Sequence, residues 1–520
     1  MNKRFNTTGV CVHRKHYMVD ISNKLKEIKE LIDNEFYFTI NKPRQYGKTT
    51  TLSELNDFLK EKYLVIDISF EGIGDSVFEN EKDFSAKFLK IMSKSLKFRD
   101  KEESERLSNL SKDVNDFEEA SEVITEFIQG AKKEVVLFID EVDKSSNNQL
   151  FLSFIGMLRN KYLDREVGRD YTFKSVILVG VYDVKTLKLK LRQPEESKYN
   201  SPWNIAIDFN VDMSFSEKEI STMLEEYSKY NDISMDIESI SREIYFFTDG
   251  YPFLVSRLCQ IIDEKINKDN KKPWTKDEVQ KSVKIILEEK NTLFDSLIKN
   301  LENYEELYKY IEDILVKGID KSYNTYNPII ELGTIHGYFK NRNGKVDVSN
   351  KIFKELIYNY MVSKLENTYS KMDGYNFKDQ FIQPNGGLDI ERILKRFQQF
   401  MKEQYSSKDI EFIEHHGRLL FLAFIKPIIN GVGFDFKEVQ VSEEKRLDLV
   451  ITYNSFKYII ELKIWRGQKY NEEGIKQLCD YLDIHDLDKG YLLVFNFNKE
   501  KEFKEERLEV KGKDIFEVFV

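Results

Sequence analysis

The segment "EVVLFIDEVD", Glu134 to Asp143, constrains the fold more than any other part of the chain. Val135 to Ile139 are apolar without alternation, and the carboxylates Asp140 and Glu141 follow at once. A run of this kind reads as a buried strand of a parallel α/β sheet. Two carboxylates at its end are what Mg²⁺ coordination and water activation require: Asp140 to hold the metal through water, Glu141 to polarise the attacking water.

About ninety residues upstream, "EFYFTINKPRQYGKTTTLSELNDFLKEKY" runs from Glu35 to Tyr63. It predicts a strand over Phe36 to Ile40, a polar turn, and a helix from about Lys48. Gly47, Lys48 and Thr49 stand where free backbone N–H groups and the helix dipole favour phosphate. A lysine there reaches the β and γ phosphates of a nucleotide, and the Thr49 hydroxyl holds Mg²⁺, with Thr50 adjoining the same nucleotide-binding turn. One departure is plain: Lys42 occupies the place of the first glycine of a P-loop. Further strands are expected in "YLVIDISFE", "SVILVGVYDV" and, briefly, around Ile205 to Phe209. Helices between successive strands argue a parallel α/β sheet. Arg159, on the helix after Asp140 and Glu141, reads as a solvated helix residue before it reads as an arginine finger.

The segments "HYMVD" (His16 to Asp20), "PRQYGKTT", "SPWNIA" and "TDGYPFLVS" (Thr248 to Ser256) resemble AAA-ATPase-like proteins of the STAND and archaeal-ATPase clade, over roughly residues 1–370. The resemblance implies ATP as cofactor, a switch between compact and open arrangements, and homo-oligomerisation. It also implies a lid whose Gly250-Tyr251-Pro252 turn brings Pro252 to the nucleotide, and a polar γ-phosphate sensor at Asp183. Helical, polar-faced sequence from Gly250 to about Asn300 suits that lid. Beyond it, two short strands around Asn343-Gly344, a strong hairpin signal, lie between helices and read as a winged helix. Such modules can bind DNA, while the clade uses them to transmit nucleotide state. The polar stretch from Glu366 to about Gly387 reads as a linker.

A second problem lies near the other end. "YIIELKIWRG", Tyr458 to Gly467, is an apolar strand carrying Glu461 and Lys463. Burying either charge unpaired costs several kcal/mol. A hairpin turning at Asn454-Ser455 sets Tyr453 opposite Phe456 and Asp448 opposite Glu461. Directly opposed side chains have Cβ atoms about 4.5–5.5 Å apart, so like charges there repel. Lys463 shares the face of Glu461, because strand side chains alternate. A divalent cation resolves the conflict: Mg²⁺ favours a few carboxylate oxygens plus waters. Lys463 can then orient or help deprotonate a water and stabilise developing phosphate charge.

This constellation resembles the PD-(D/E)XK nuclease superfamily over about residues 400–520. The resemblance implies Mg²⁺, with Mn²⁺ as a substitute, at Asp448 and Glu461. It also implies an additional acidic ligand at Glu414 in "DIEFIEHHGRLLFLAFIKP", with Glu411 and Glu438 as rivals, and supporting roles for Gln477 and Tyr481 in "GIKQLCDYLD". His415 and His416, adjacent on a helix, point apart and read as surface or partial core.

The expected architecture is α/β throughout. It comprises a P-loop ATPase core (1–235), a helical lid (236–300), a winged helix (301–370), a linker and helix (371–400), and a nuclease domain (401–520) with a mixed, restriction-endonuclease-like sheet. A net charge of −10 does not advertise a nucleic-acid binder, but binding needs a local basic face, not a basic total. No apolar run approaches the roughly 18–20 residues of a membrane span, and "MNKRFNTTGV" lacks the apolar core of a signal peptide. Cys11, Cys259 and Cys479 lie far apart and suggest no disulfide or zinc framework. The expectation is a cytoplasmic, ATP-controlled, metal-dependent nuclease acting on nucleic acid, with DNA ahead of RNA. By analogy, such a fusion suits defence or a mobile element. The alternative is a regulatory or scaffold ATPase whose nuclease-like domain only binds nucleic acid.

Overall fold

The computed structural model describes residues 3–144, 149–181, 203–268, 272–316, 319–368, 378–405, 410–429, 433–438, 447–454, 456–497 and 502–520. The chain divides into two compact units: Met1–Ser282 with Ile335–Gly337, and Val283–Thr334 with Tyr338–Val520.

The first unit is built on four parallel strands, β1 (Phe38–Asn41), β2 (Leu64–Ser69), β3 (Val135–Asp140) and β4 (Ser175–Gly180), in the order β1-β4-β3-β2. All six residues of β3 are buried, as its unbroken apolar run requires. Alternate side chains feed two cores. Leu137 and Ile139 pack with Phe84, Phe88 and Phe154, whereas Val136 and Phe138 pack with Leu52 and Leu55 of the Lys48–Leu59 helix. The strand expected around Ile205 to Phe209 is reduced to a single bridge from Ile207 to Phe38. A turn closed by Ala206 N donating to Trp203 O immediately before it shortens the pairing. Helices Pro252–Ile261 and Lys276–Glu288 occupy the polar-faced stretch that follows.

In the second unit, helices Thr292–Asn303 and Glu305–Leu315 precede a hairpin of β5 (Phe339–Arg342) and β6 (Lys345–Val348), which leads into the Lys351–Thr368 helix. Asn343 and Gly344 turn that hairpin with φ of 53° and 81°, the paired left-handed residues a tight hairpin favours. The remainder carries a six-stranded mixed sheet of β7 (Gly433–Glu438), β8 (Leu447–Tyr453), β9 (Phe456–Ile464), β10 (Lys489–Phe495), β11 (Glu505–Val510) and β12 (Lys513–Phe519). The order is β11-β12-β10-β9-β8-β7, with β10 parallel to both β9 and β12. Parallel neighbours need a crossover, and the Gln468–Ile484 helix supplies it between β9 and β10. Phe397 of the Ile390–Gln404 helix meets Phe421, Phe424 and Phe495 in the core. Within the polar stretch before that helix, residues 381–388 dock on the β8–β9 hairpin. Leu388 N donates to Tyr458 Oη at 2.7 Å and Asn454 Nδ2 to Gly386 O at 2.6 Å.

Candidate functional site

Two constellations emerge, one in each unit. In the first, β1, β3 and β4 bring their C-terminal ends together, where a parallel sheet places its ligands. Gly47 caps the Lys48–Leu59 helix with φ of 77°. The departure at Lys42 is absorbed locally: the left-handed residues of the loop are Gln45 and Gly47, while the Lys42 ammonium lies over the Phe209 ring at 6.0 Å. Lys48 Nζ donates to the carbonyls of Lys42 at 2.8 Å and Pro43 at 2.9 Å. Burial lowers its pKa, against the pull of Asp143, Glu141 and Asp140. Thr49 Oγ1 donates to Asp140 Oδ2 at 2.9 Å, so the hydroxyl and carboxylate read as a metal-holding pair are already in contact. Glu141 adopts φ of 56°, and its N–H donates to Asp140 Oδ1 at 2.8 Å. Desolvation raises its pKa, with the Asp140 charge adding and Lys48 opposing.

The Gly250-Tyr251-Pro252 turn completes this site. Gly250 has φ of 72°, and a Cβ there would meet the Phe215 carbonyl at 2.0 Å. Tyr251 Oη donates to Arg44 O at 2.5 Å, tying the turn to the phosphate loop. Pro252 lies 3.7 Å from where a Cβ on Gly47 would stand. Beside them a cavity of about 370 Å³ is lined by Thr8, Tyr17, Gly47, Thr50, Phe215 and Pro252 among others. That volume falls within the range of small-molecule and cofactor sites. Thr50 Oγ1 accepts from Cys11 N at 3.2 Å, which fixes the N-terminal segment against the loop. Arg159 Nε donates to Asn204 Oδ1 at 2.9 Å, and Asp183 lies outside the described residues.

In the second unit, β8 and β9 pair with Tyr453 opposite Phe456 and Asp448 opposite Glu461. The register continues across the sheet. Glu438 faces Asp448, Leu492 faces Glu461, Glu517 faces Leu492 and Glu506 faces Glu517. One row therefore crosses six strands with a single apolar member, and laterally paired residues share a face. Glu461 and Lys463 are each 1% exposed. The Lys463 ammonium donates to Tyr470 O and lies 4.0 Å from the centre of the Tyr470 ring, in the first turn of the Gln468–Ile484 helix. Gly474 makes room for it: a Cβ there would come within 2.1 Å of Nζ. Gln477 is half-buried and Tyr481 buried on that helix. Glu411 and Glu414 belong to the Ile410–Ile429 helix; their side chains and that of Asp448 lie outside the described residues. Among the described residues no three His, Cys, Asp or Glu side chains converge as a metal would require. The donor chemistry nevertheless suits a hard cation: oxygen ligands on opposed strands, with a buried acid in register with another.

Residues 8–355 match the family model of the AAA-like domain. The chain belongs to the AAA-like domain family. In this AAA-like protein, residues 430–507 also match the PD-(D/E)XK nuclease superfamily, so the six-stranded sheet is that of a nuclease-superfamily domain. No curated protein matches the chain. Among solved structures, the Walker-type ATPase of Pyrococcus abyssi is 11% identical with a TM-score of 0.47, covering 68% of this chain and 99% of its own. The ORC2 protein of Aeropyrum pernix is 11% identical at a TM-score of 0.40, with coverage of 70% and 98%. The RuvB Holliday junction branch migration motor of Thermotoga maritima is 14% identical at 0.33, with coverage of 65% and 95%.

Several residues of the AAA-like protein's sites escape sequence reading. Asp143 accepts from Val181 N and fills the space beside Gly180, where a Cβ would meet its Oδ1 at 2.7 Å. The third acid of "DEVD" was its only signal. Arg418, 4% exposed on the Ile410–Ile429 helix, donates Nη1 to Val316 O at 2.9 Å. Burial pulls its pKa down to about 10, against Tyr358, Tyr470 and Glu461, which favour the charged form. Its place between "EHHG" and the apolar run "LLFLAFI" was its only signal in the sequence.

Proposed function

We propose that the chain is an ATP-binding and ATP-hydrolysing switch that controls a metal-dependent phosphodiesterase, a DNA endonuclease. The observation that carries the nuclease half is the pairing of Asp448 with Glu461, with Lys463 buried two residues on. Asp448 and Glu461 would hold Mg²⁺ or Mn²⁺, with Glu414, or its rivals Glu411 and Glu438, completing the ligands. A divalent cation held there supplies charge neutralisation and an acidified water. Lys463 would orient the attacking water and stabilise charge developing on the phosphate, and Gln477 and Tyr481 would support it from one helix face. The ATPase half is supported by the Thr49–Asp140 contact. Lys48 would bind the β and γ phosphates, Gly47 and Thr50 would shape the loop, Thr49 and Asp140 would hold Mg²⁺, Glu141 would polarise the attacking water, and Pro252 would bring the lid to the nucleotide.

The proposed organisation is an ATPase core over 1–235, a lid over 236–300, a winged helix over 301–370 that transmits nucleotide state, a connecting segment and helix over 371–400, and a nuclease over 401–520. Homo-oligomerisation, a cytoplasmic setting and a part in defence or a mobile element accompany this reading. Among the described residues no helix is long and apolar enough to cross a membrane. Incubating the full chain with labelled DNA and RNA, with Mg²⁺, Mn²⁺ or Ca²⁺, and with or without ATP, tests the proposal. Cleavage is expected with Mg²⁺ or Mn²⁺ and not with Ca²⁺. Cleavage of none of these substrates sinks the nuclease half and favours a regulatory ATPase whose second domain only binds nucleic acid.

A further inference from the structure

The sheet face beneath the Gln468–Ile484 helix holds a buried acid that the proposed chemistry does not use. Glu517, on β12, is 1% exposed and stands in the row of Glu461, with Leu492 of β10 between them. Its Oε1 accepts from Asn471 Nδ2 at 2.6 Å, and Asn471 is itself buried in the first turn of the helix. Tyr470, the residue before it, provides the carbonyl that accepts from Lys463 and the ring beneath the ammonium. Gly474, one turn on, leaves the gap that the ammonium fills. The turn from Tyr470 to Gly474 is thus a socket for Lys463, and Glu517 fastens that socket to β12.

Resting on the nuclease reading, we propose that Glu517 is a positioning residue for Lys463, acting through Asn471 and the helix turn that carries Tyr470. The charged groups facing it are Lys463 from β9, and Glu506 with Lys504 from β11 and its lead-in, the latter two paired at 2.8 Å. From β10 it meets Leu492, and from the helix the neutral Asn471. Burial pushes the Glu517 carboxyl up to about 7; the Asn471 hydrogen bond opposes, Glu506 adds, and Lys504 and Lys463 oppose. Below that pH the protonated acid accepts from Asn471 and leaves Lys463 to the Tyr470 carbonyl. Above it, the carboxylate is the stronger acceptor for Asn471 and adds a favourable charge for the ammonium. The seat of Lys463 therefore tightens as pH rises through neutrality.

The test compares the full chain with its Glu517→Gln, Glu517→Ala and Asn471→Ala variants. Acylation of Lys463 by an amine-reactive reagent is read by mass spectrometry relative to exposed Lys457, from pH 6 to 8, alongside DNA cleavage with Mg²⁺. In the native chain, relative labelling of Lys463 should fall through about pH 7. Glu517→Gln, permanently neutral, should show no such fall. Glu517→Ala and Asn471→Ala should expose Lys463 at every pH and lower kcat about 10–100-fold, as loss of supporting partners does, with little change in KM. Native-like labelling and cleavage in both alanine variants overturns the proposal. Where an alanine variant does not fold, identical pH dependence of labelling in native chain and Glu517→Gln overturns it equally. Labelling needs no turnover, so it decides the role of Glu517 even in a chain that cuts nothing, whereas absent cleavage by the native chain bears on the nuclease reading alone.

Discussion

The two constellations solve the same electrostatic problem by opposite means. At the nucleotide site every ionised group stands where an element ends: Lys48 opens a helix, Asp140 closes β3, and Glu141 and Asp143 lie just beyond it. Loop carbonyls and N–H groups are at hand there, and they serve Lys48 and Asp140 directly. At the sheet site Glu461, Lys463 and Glu517 lie inside strands and are each 1% exposed. Strand backbone is consumed by the ladder, so Lys463 and Glu517 draw on a neighbouring helix: a carbonyl and ring from Tyr470, an amide from Asn471, a missing side chain at Gly474. The difference decides how much each site tolerates. The loop that carries a lysine in place of a glycine takes its left-handed residues at Gln45 and Gly47. A strand has no such latitude, because a one-residue slip turns every side chain to the other face.

If the sites are chemically separate, changes in one should leave the other intact. The largest effect is expected for Lys48→Ala, which should abolish turnover by losing the nucleotide; Glu141→Gln should slow ATP hydrolysis by about 10²–10⁴-fold while retaining bound ATP. Either variant hydrolysing ATP at the native rate in a phosphate-release assay would break the nucleotide half of the comparison. Lys463→Ala should lower DNA cleavage roughly 10²–10³-fold with ATP hydrolysis unchanged, and a gel-based cleavage assay beside the same phosphate-release measurement checks both. A smaller effect concerns stability. The Glu517 pKa is raised from 4.5 to about 7 in the folded chain. Its contribution is therefore intact below pH 4.5, declines as pH rises, and is lost above about 7. Urea unfolding of the second unit should register on the order of 3 kcal/mol across that window, absent in Glu517→Gln. Smallest is Asp448→Asn, which should raise stability without metal by about 0.2–1 kcal/mol by relieving the repulsion with Glu461. A loss of stability there would show that the two carboxylates do not oppose one another.

Much of this comparison could be read from the sequence, for a physical reason. Unbroken apolar runs announce buried strands, so β3 and β4 were visible, and the turn at Asn454 fixed the pairing of Asp448 with Glu461. What a sequence hides is any partner supplied at long range. Nothing local to Glu517 marks it: "KDIFEVF" reads as an ordinary strand, and its place in the row of Glu461 exists only once β12 has paired with β10. Tyr251 was visible as part of a turn but not as the clamp on Arg44. The strand expected around Ile205 failed to extend because its lead-in was spent on a turn at Trp203.

The position of β12 has a consequence for the order in which the protein comes into being. It enters the sheet between β10 and β11, yet is the last of the three to be synthesised. Until it emerges from the ribosome, β10 keeps an open edge and the Tyr470–Gly474 turn has nothing to fasten to. Residues Met1–Ser282 are exposed well before that moment, and domains made first generally fold first. Translation itself thus delays the seating of Lys463 until the bulk of the nucleotide unit is available. A nascent chain therefore carries its nucleotide unit before it carries a completed six-stranded sheet.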